Sequence, residues 1–137
     1  YLQTPRKKGA KINDTLVPKN IGIVGAGFMG AGIAVISIQS GFKVLLNDVT
    51  ESGLSKARAQ IWKSLGIKVK RKSLTSFQRT QYFSNVTSHL DYESFRHSDF
   101  VIEAVLEDLE LKQKIVAKIE PFLKPLSGLI SYIILLF

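Results

Sequence analysis

The 137-residue chain contains no cysteine, which excludes a disulfide framework and a thiolate metal site. It has only two histidines, His89 and His97, and their spacing does not indicate metal ligation, so we predict no metal site. Long apolar runs are also missing, since a membrane-spanning helix needs about 20 apolar residues and the run at 128–137 is far shorter. We therefore expect no transmembrane span.

Acidic residues are missing from a long central stretch between Glu51 and Asp91, although the chain as a whole carries a net charge of +8. The basic residues in this stretch are Lys56, Arg58, Lys63, Lys68, Lys70, Arg71, Lys72 and Arg79. Such a field attracts polyanions. Because no aromatic and basic recognition motif accompanies the charge, nucleic acid is the weakest candidate partner. A phosphate-rich small molecule and a merely solvated basic helix face both remain open.

The stretch from Asn20 to Gly41 carries the strongest functional pattern in the sequence. A short apolar run is followed at once by the pattern G-x-G-x-x-G at residues 25–30, here called the glycine turn, and then by a helical stretch. In dinucleotide-binding folds the first glycine permits the tight turn, the second lets a pyrophosphate approach the backbone, and the third allows close packing of helix on strand. The order strand, glycine turn, helix predicts dinucleotide binding.

Asp48 strengthens this prediction. It follows a second apolar run and lies about 20 residues beyond the glycines, where an acid hydrogen-bonds the adenosine ribose of NAD. Its negative charge predicts a preference for NAD over NADP, since it would repel a 2′-phosphate. Taken singly, the glycines could form an ordinary turn and Asp48 could be a loop acid or a helix N-cap. Together they favour NAD as the cofactor.

Strand and helix patterns alternate along the chain and predict an α/β fold, a Rossmann-type doubly wound parallel sheet. Residues 1–18 are interpreted as a basic linker or arm, and residues 19–137 as the NAD-binding domain, with an atypical apolar tail at 127–137. Gly66 lies within the second helical pattern, where a glycine can break or kink a helix. The predicted strands are 21–24, 43–46, 85–88, 100–105 and 128–137, and the predicted helices are 28–40, a helix opening at Thr50 and Glu51, a short one from Thr75 or Ser76, and 109–123.

The chain resembles the nicotinamide-binding domain of L-3-hydroxyacyl-CoA dehydrogenases. The resemblance is carried by IGIVGAGFMGAGIA at 21–34, LLND at 45–48 and FVIEAVLEDLELKQKI at 100–115. Within that family, the stretch KRKSLTSFQRTQYFSNVTSHLDYESF at 70–95 is most similar to the alpha subunit of the mitochondrial trifunctional enzyme. This implies oxidation of L-3-hydroxyacyl-CoA to 3-oxoacyl-CoA with NAD in fatty-acid β-oxidation, within a multienzyme complex of the mitochondrial matrix or, alternatively, the peroxisome.

The resemblance also implies roles for individual residues. Ser64 and Arg71 are implied as contacts to the coenzyme A part of an acyl-CoA substrate. Asp48 is implied as the ribose acceptor, and Ala104 and Val105 as residues along the nicotinamide. The remaining implied cofactor contacts are Gly25, Gly27, Phe28, Met29, Gly30, Glu107 and Lys112.

No catalytic residue of the family is matched in this sequence. In the family, a serine- and asparagine-rich segment, a catalytic histidine with a glutamate partner, and a helical second domain follow the fifth strand. The apolar stretch 129–137 stands in place of that segment, so the domain is expected to be truncated before the catalytic segment and to be inactive alone. His89 and His97 precede the fourth strand and are expected at the opposite edge of the sheet from the cofactor. Two alternatives are a non-catalytic NAD or acyl-CoA binding module and a 3-hydroxyisobutyrate-type dehydrogenase, against which Asn47 and Asp48 argue.

Overall fold

The computed structural model of the protein describes residues 19–104, 109–123 and 132–134. The five strands are β1 (Asn20–Val24), β2 (Lys43–Asn47), β3 (Val86–His89), β4 (Phe100–Glu103) and β5 (Tyr132–Ile134). The α-helices are α1 (Phe28–Gln39), α2 (Glu51–Lys70), α3 (Ser76–Ser84) and α4 (Leu109–Ile119). Short 3₁₀ helices cover Glu93–His97 and Glu120–Phe122. The predicted order of elements is confirmed, with end points shifted by a few residues.

All five strands pair in parallel, in the order β3-β2-β1-β4-β5. The register sets Val24 beside Asn47 on one side and beside Glu103 on the other. Because the strands are parallel, their carboxyl ends meet at one edge, and the strand order reverses direction at β1. Ligands of open α/β sheets bind at such a reversal. The fold is therefore the predicted doubly wound sheet, with its binding edge at the ends of β1, β2 and β4.

One face of the sheet is covered by α1 and α2. Apolar residues recur along α2 at helical spacing, and Leu54, Ala57, Ile61 and Leu65 are all buried. They pack in one cluster with buried residues of α1 and of the first three strands, including Ile23. A parallel sheet needs helices on both faces, and this cluster forms the larger of its two cores.

The other face is covered by α4 and the first 3₁₀ helix. Phe95 is fully buried there, in a cluster with Val101, Ile115 and other apolar residues. Gly22 in β1 makes this packing fit, since a Cβ atom at Gly22 would lie 2.6 Å from a ring carbon of Phe95. The second core thus depends on a missing side chain in the central strand.

Helix α2 does not break at Gly66, because it runs without interruption from Glu51 to Lys70. Gly66 instead makes room for Arg79 of α3, whose Nη2 atom would lie 2.5 Å from a Cβ atom added at Gly66. The Arg79 guanidinium lies 3.7 Å from the centre of the Trp62 ring, and its Nε and Nη2 donate to the Trp62 carbonyl at 3.1 and 2.6 Å. We call α2, α3 and the turn between them the α2–α3 hairpin.

The last predicted elements are confirmed in part. β5 continues the parallel sheet beside β4, as expected for the apolar tail, although only its residues 132–134 are described. Helix α4 ends at Ile119, earlier than expected, and Pro121 lies in the 3₁₀ turn that follows. Proline has no amide hydrogen to continue an α-helical ladder, which explains the earlier end.

Candidate functional site

The glycine turn connects β1 to α1 at the binding edge. Gly25 has a φ of +97°, a region that favours glycine, and its amide donates to the Asn47 carbonyl at 2.9 Å. Gly30 is buried in the first turn of α1, and a Cβ atom there would overlap the carbonyl oxygen of Gly25. The first and third glycines of the pattern are therefore required by the protein itself, before any ligand is considered.

The second glycine, Gly27, is the N-cap of α1 and is exposed. No side chain caps this helix, whereas Thr50 caps α2 through its hydroxyl and Thr75 caps α3. The first amides of α1 therefore remain open to an anion, which the helix dipole also favours. Apart from its two chain neighbours, no described residue has an atom within 4 Å of a Cβ atom added at Gly27, so the backbone there is open to close approach.

Asp48 lies directly after β2, at the same edge. It is half-buried, and its Oδ1 accepts from the Val49 amide at 2.6 Å. The preceding residue, Asn47, is buried and donates from Nδ2 to the carbonyls of His89 and Asp91 at 3.1 and 2.8 Å. Asp48 is not the N-cap of α2, because Thr50 has that role. Its carboxylate does not cap the helix, and Asp48 lines the same cavity as Gly25 and Gly27.

A cavity of about 400 Å³ joins these features. Ala104, which directly follows β4, lines the cavity. Its amide donates to the carbonyl of Val24, next to the glycine turn, at 2.8 Å. The lining residues are Val24, Gly25, Ala26, Gly27, Asn47, Asp48, Val49, Tyr92, Ala104, Leu111, Lys114, Ile115 and Lys118. Among the predicted residues, Gly25, Gly27, Asp48 and Ala104 are thus brought together.

Tyr92 was not predicted as a site residue. It follows β3, lines the cavity near Asp48 and stacks on Phe95 with 6.2 Å between ring centres. Burial raises the pKa of the Tyr92 hydroxyl, and the negative charge of Asp48 raises it further. The phenol therefore stays protonated as a hydrogen-bond donor at neutral pH. The position of Tyr92 could have been inferred from topology, because residues that follow β3 must emerge at the binding edge.

One side of the cavity is a face of α4, which was also not predicted. Leu111, Lys114, Ile115 and Lys118 have the spacing i, i+3, i+4, i+7 of one helix face. Leu111 and Ile115 provide an apolar surface, and the two lysines provide positive charge. The periodicity was visible in the sequence, but it could not tell which helix faces the binding edge.

Several predicted site residues are not brought into this cavity. Phe28 and Met29 are exposed at the start of α1 beside it, while Gly30 is buried in the packing of helix on strand. Ser64 and Arg71 lie on and just after α2, a helix of 20 residues and so about 30 Å long, and they do not line the cavity. Val105, Glu107 and the side chain of Lys112 lie outside the described residues.

The expected position of the histidines is wrong for His89. This residue ends β3, so it lies at the carboxyl edge of the sheet and not at the opposite one. Its ring contacts the Thr87 hydroxyl at 2.8 Å and faces a separate depression beside Arg58, away from the described cavity lining. His97 does lie at the amino edge, since its carbonyl accepts from the side chain of Asn20. Neither histidine lines the cavity.

The parallel sheet, the glycine turn and the acid after β2 together define a dinucleotide-binding domain of the Rossmann type. The chain belongs to the 3-hydroxyacyl-CoA dehydrogenase family, because the family model described as "3-hydroxyacyl-CoA dehydrogenase, NAD binding domain" matches residues 20–131. The match confirms the family and NAD as the cofactor.

Solved structures agree with the family. The (S)-3-hydroxybutyryl-CoA dehydrogenase of Ralstonia eutropha is 30% identical, with a TM-score of 0.77 over 80% of this chain and 38% of that one. FadB2 of M. tuberculosis is 30% identical, with a TM-score of 0.79 over 84% and 40%. The 3-hydroxybutyryl-CoA dehydrogenase of Escherichia coli is 31% identical, with a TM-score of 0.74 over 78% and 23%. This chain therefore spans less than half the length of each.

Two expected absences concern the described part of the chain. Over residues 19–104, 109–123 and 132–134, no group of three or more histidine, aspartate or glutamate side chains is arranged to hold a metal ion. No helix within those ranges is long and apolar enough to cross a membrane.

Proposed function

We propose that this chain is the cofactor-binding part of an enzyme that oxidises the 3-hydroxyl group of L-3-hydroxyacyl-CoA to a ketone, with NAD as hydride acceptor. One observation carries the proposal. The glycine turn, Asp48 and the end of β4 line a single cavity at the edge where the strand order reverses. The family and its solved members support the substrate class.

The residues of the cavity fit a dinucleotide. The uncapped start of α1 and the open space above Gly27 suit a pyrophosphate, which carries negative charge. Asp48 would accept hydrogen bonds from the adenosine ribose, beside the Tyr92 hydroxyl. The apolar surface of Leu111 and Ile115 suits the adenine ring. Ala104 would lie along the nicotinamide side, as the predicted Val105 would.

When bound, NAD supplies an acceptor for the hydride that leaves the carbon bearing the 3-hydroxyl. The hydroxyl proton needs a base within hydrogen-bond reach. No histidine is among the described residues that line the cavity, and the His89 ring is turned toward Thr87. We propose that the described residues bind and orient the cofactor, and that the base comes from outside them.

The test uses the complete enzyme that contains this cofactor-binding part, here called the full-length protein. It measures the rate of substrate oxidation with NAD and with NADP. Wild type should form NADH from L-3-hydroxybutyryl-CoA or a longer homologue, with kcat/KM about 100-fold or more higher with NAD than with NADP, because Asp48 binds the ribose hydroxyls and repels a 2′-phosphate. Asp48→Ala should reduce this ratio by about tenfold or more, because one charged hydrogen bond and one repulsion are removed. Equal use of NADP by wild type, or no oxidation of any L-3-hydroxyacyl-CoA, would contradict the proposal.

The finer assignments are part of the same proposal. The stretch at 70–95 supports an alpha-subunit type of the mitochondrial trifunctional enzyme, working within a multienzyme complex of the mitochondrial matrix. Ser64 and Arg71 stay predictions as coenzyme A contacts. They are seven residues apart, about two helical turns, with Ser64 in α2 and the exposed Arg71 as the C-cap of that helix. Exposed cations there suit the phosphate groups of coenzyme A.

A further inference from the structure

Gly53, in the first turn of α2, lies against the carboxylate of Asp48. A Cβ atom added at Gly53 would overlap Oδ2 of Asp48 and would lie 2.9 Å from its Cγ. We propose that Gly53 is a positioning residue for cofactor choice: its missing side chain leaves the space in which the Asp48 carboxylate is held toward the adenosine ribose. The inference rests on the proposed role of Asp48.

Two contacts define the observed position of the carboxylate. Oδ1 of Asp48 accepts from the Val49 amide at 2.6 Å, which directs Oδ2 toward Gly53. The Gly53 amide is itself bound to the Thr50 hydroxyl at 3.0 Å, as the N-cap of α2 requires. A Cβ atom at Gly53 would lie 3.0 Å from that hydroxyl oxygen. The carboxylate, the cap and the bare Cα atom therefore form one tight cluster.

The backbone conformation does not account for a glycine at this position. Among the described residues, the glycines with positive φ are Gly25 and Gly41, so Gly53 has a conformation that alanine could adopt. Alanine is also the better helix former, so glycine weakens the first turn of α2. Glycine is needed at this position because a side chain would occupy the space of the Asp48 carboxylate.

An added methyl group should move the carboxylate and leave the helix in place. The Asp48 carboxylate is the end of a side chain and can rotate, whereas the Gly53 backbone is fixed by its cap bond and by the helix. If the Asp48 carboxylate rotates, its oxygen atoms move away from the proposed position of the adenosine ribose. Its negative charge also moves away from the position that a 2′-phosphate of NADP would take. The loss should therefore appear in the preference for NAD over NADP, and not in folding.

The test compares Gly53→Ala with Gly32→Ala in the full-length protein. Gly32 is a matched control because it lies in α1, is exposed, and an added Cβ atom would meet nothing within 4 Å beyond its chain neighbours and the backbone of its own helix. Calorimetry gives the Kd of NAD and of NADP, and thermal unfolding without cofactor gives the Tm. Gly53→Ala should lower the NAD preference about tenfold, the size of one charged hydrogen bond, with little change in Tm. Gly32→Ala should keep the preference and raise the Tm.

Asp48→Ala, alone and combined with Gly53→Ala, separates the possible outcomes. If the inference holds, Gly53→Ala has no further effect on the preference once Asp48 is alanine. An unchanged preference in Asp48→Ala would overturn the role of Asp48 itself. A reduced preference in Asp48→Ala, with a wild-type preference in Gly53→Ala, would overturn only the positioning role. If Gly53→Ala does not fold, folding restored in the double variant supports the contact, and failure of both overturns it.

Discussion

The glycine turn and the α2–α3 hairpin both depend on a glycine, but the atoms that need the space differ. At Gly30 an added Cβ atom would meet the backbone carbonyl of Gly25. At Gly66 it would meet the guanidinium of Arg79, the far end of a flexible side chain. A backbone carbonyl within a sheet edge cannot move aside, whereas an arginine can. Glycine is thus required at the binding edge, whereas in the hairpin a larger residue can be accommodated by a shift of the Arg79 side chain.

The difference follows from how each partner is held. The Gly25 amide is bound to the Asn47 carbonyl at the end of β2, so the turn is part of the hydrogen-bonded sheet. Arg79 is held by its stacking on Trp62 and by bonds to one carbonyl, at the surface of the molecule. Rigid backbone at the binding edge keeps the amides of α1 in place. Three predictions test this comparison.

The largest effect is expected for Gly30→Ala. The methyl group cannot fit beside the Gly25 carbonyl, so helix α1 must move away from β1. We expect the free energy of unfolding to fall by about 3 kcal/mol, at the upper end of typical overpacking costs, and NAD binding to be lost. Urea denaturation and calorimetry measure these changes. A loss below about 1 kcal/mol would show that the turn can adjust, and the contrast with the hairpin would disappear.

Gly27→Val should affect binding more than stability. The side chain would enter the open space above the turn, where the pyrophosphate approaches, and its Cβ atom would meet no described atom within 4 Å apart from the chain neighbours of Gly27. We expect NAD affinity to fall at least about 100-fold, while the free energy of unfolding falls by no more than about 1 kcal/mol, because valine is a poorer N-cap than glycine. The measurements are calorimetry and urea denaturation. Wild-type NAD affinity in a folded variant would contradict the proposed position of the phosphates.

The smallest effect is expected in the hairpin. In wild type, Gly66→Ala should change the free energy of unfolding little, since the gain in helix propensity offsets the displacement of Arg79. In an Arg79→Ala background the same substitution should raise it by about 1 kcal/mol, because the space is then empty. A double-mutant cycle measures this coupling. NAD affinity should stay unchanged throughout, and zero coupling would show that Gly66 and Arg79 do not depend on each other.

Local sequence patterns were enough to predict most of the fold. The apolar run before Gly25, the glycine turn itself and the cap at Thr50 each act within a few residues, so their structural consequences can be inferred without knowing the rest of the chain. The alternation of strands and helices then leaves few topologies, because connections between parallel strands have one hand. The parallel sheet follows from these local features.

Features that depend on distant residues were predicted less well. Gly66 resembles a helix breaker until Arg79 is known to occupy the space beside it. Tyr92 and the α4 face enter the cavity only because of the strand order, which no single stretch encodes. His89 was expected at the wrong edge because it was treated as part of the connection that precedes β4, whereas it ends β3 and so lies at the carboxyl edge. Contacts between residues far apart in sequence are set by packing, and a pattern of a few residues cannot show them.

The carboxylate of Asp99, just before β4, accepts from the amides of Lys19 and Asn20 at 2.7 and 2.9 Å. In terms of chain entropy, these bonds close a loop of about 80 residues that contains the whole α2–α3 hairpin. The cost of closing a loop rises only with the logarithm of its length, by roughly 0.6 kcal/mol for each doubling. A few residues added to or removed from the turn of the hairpin therefore barely change this cost. On the side of loop entropy, the hairpin can therefore vary in length while the ends of β1 and β4 at the binding edge stay together.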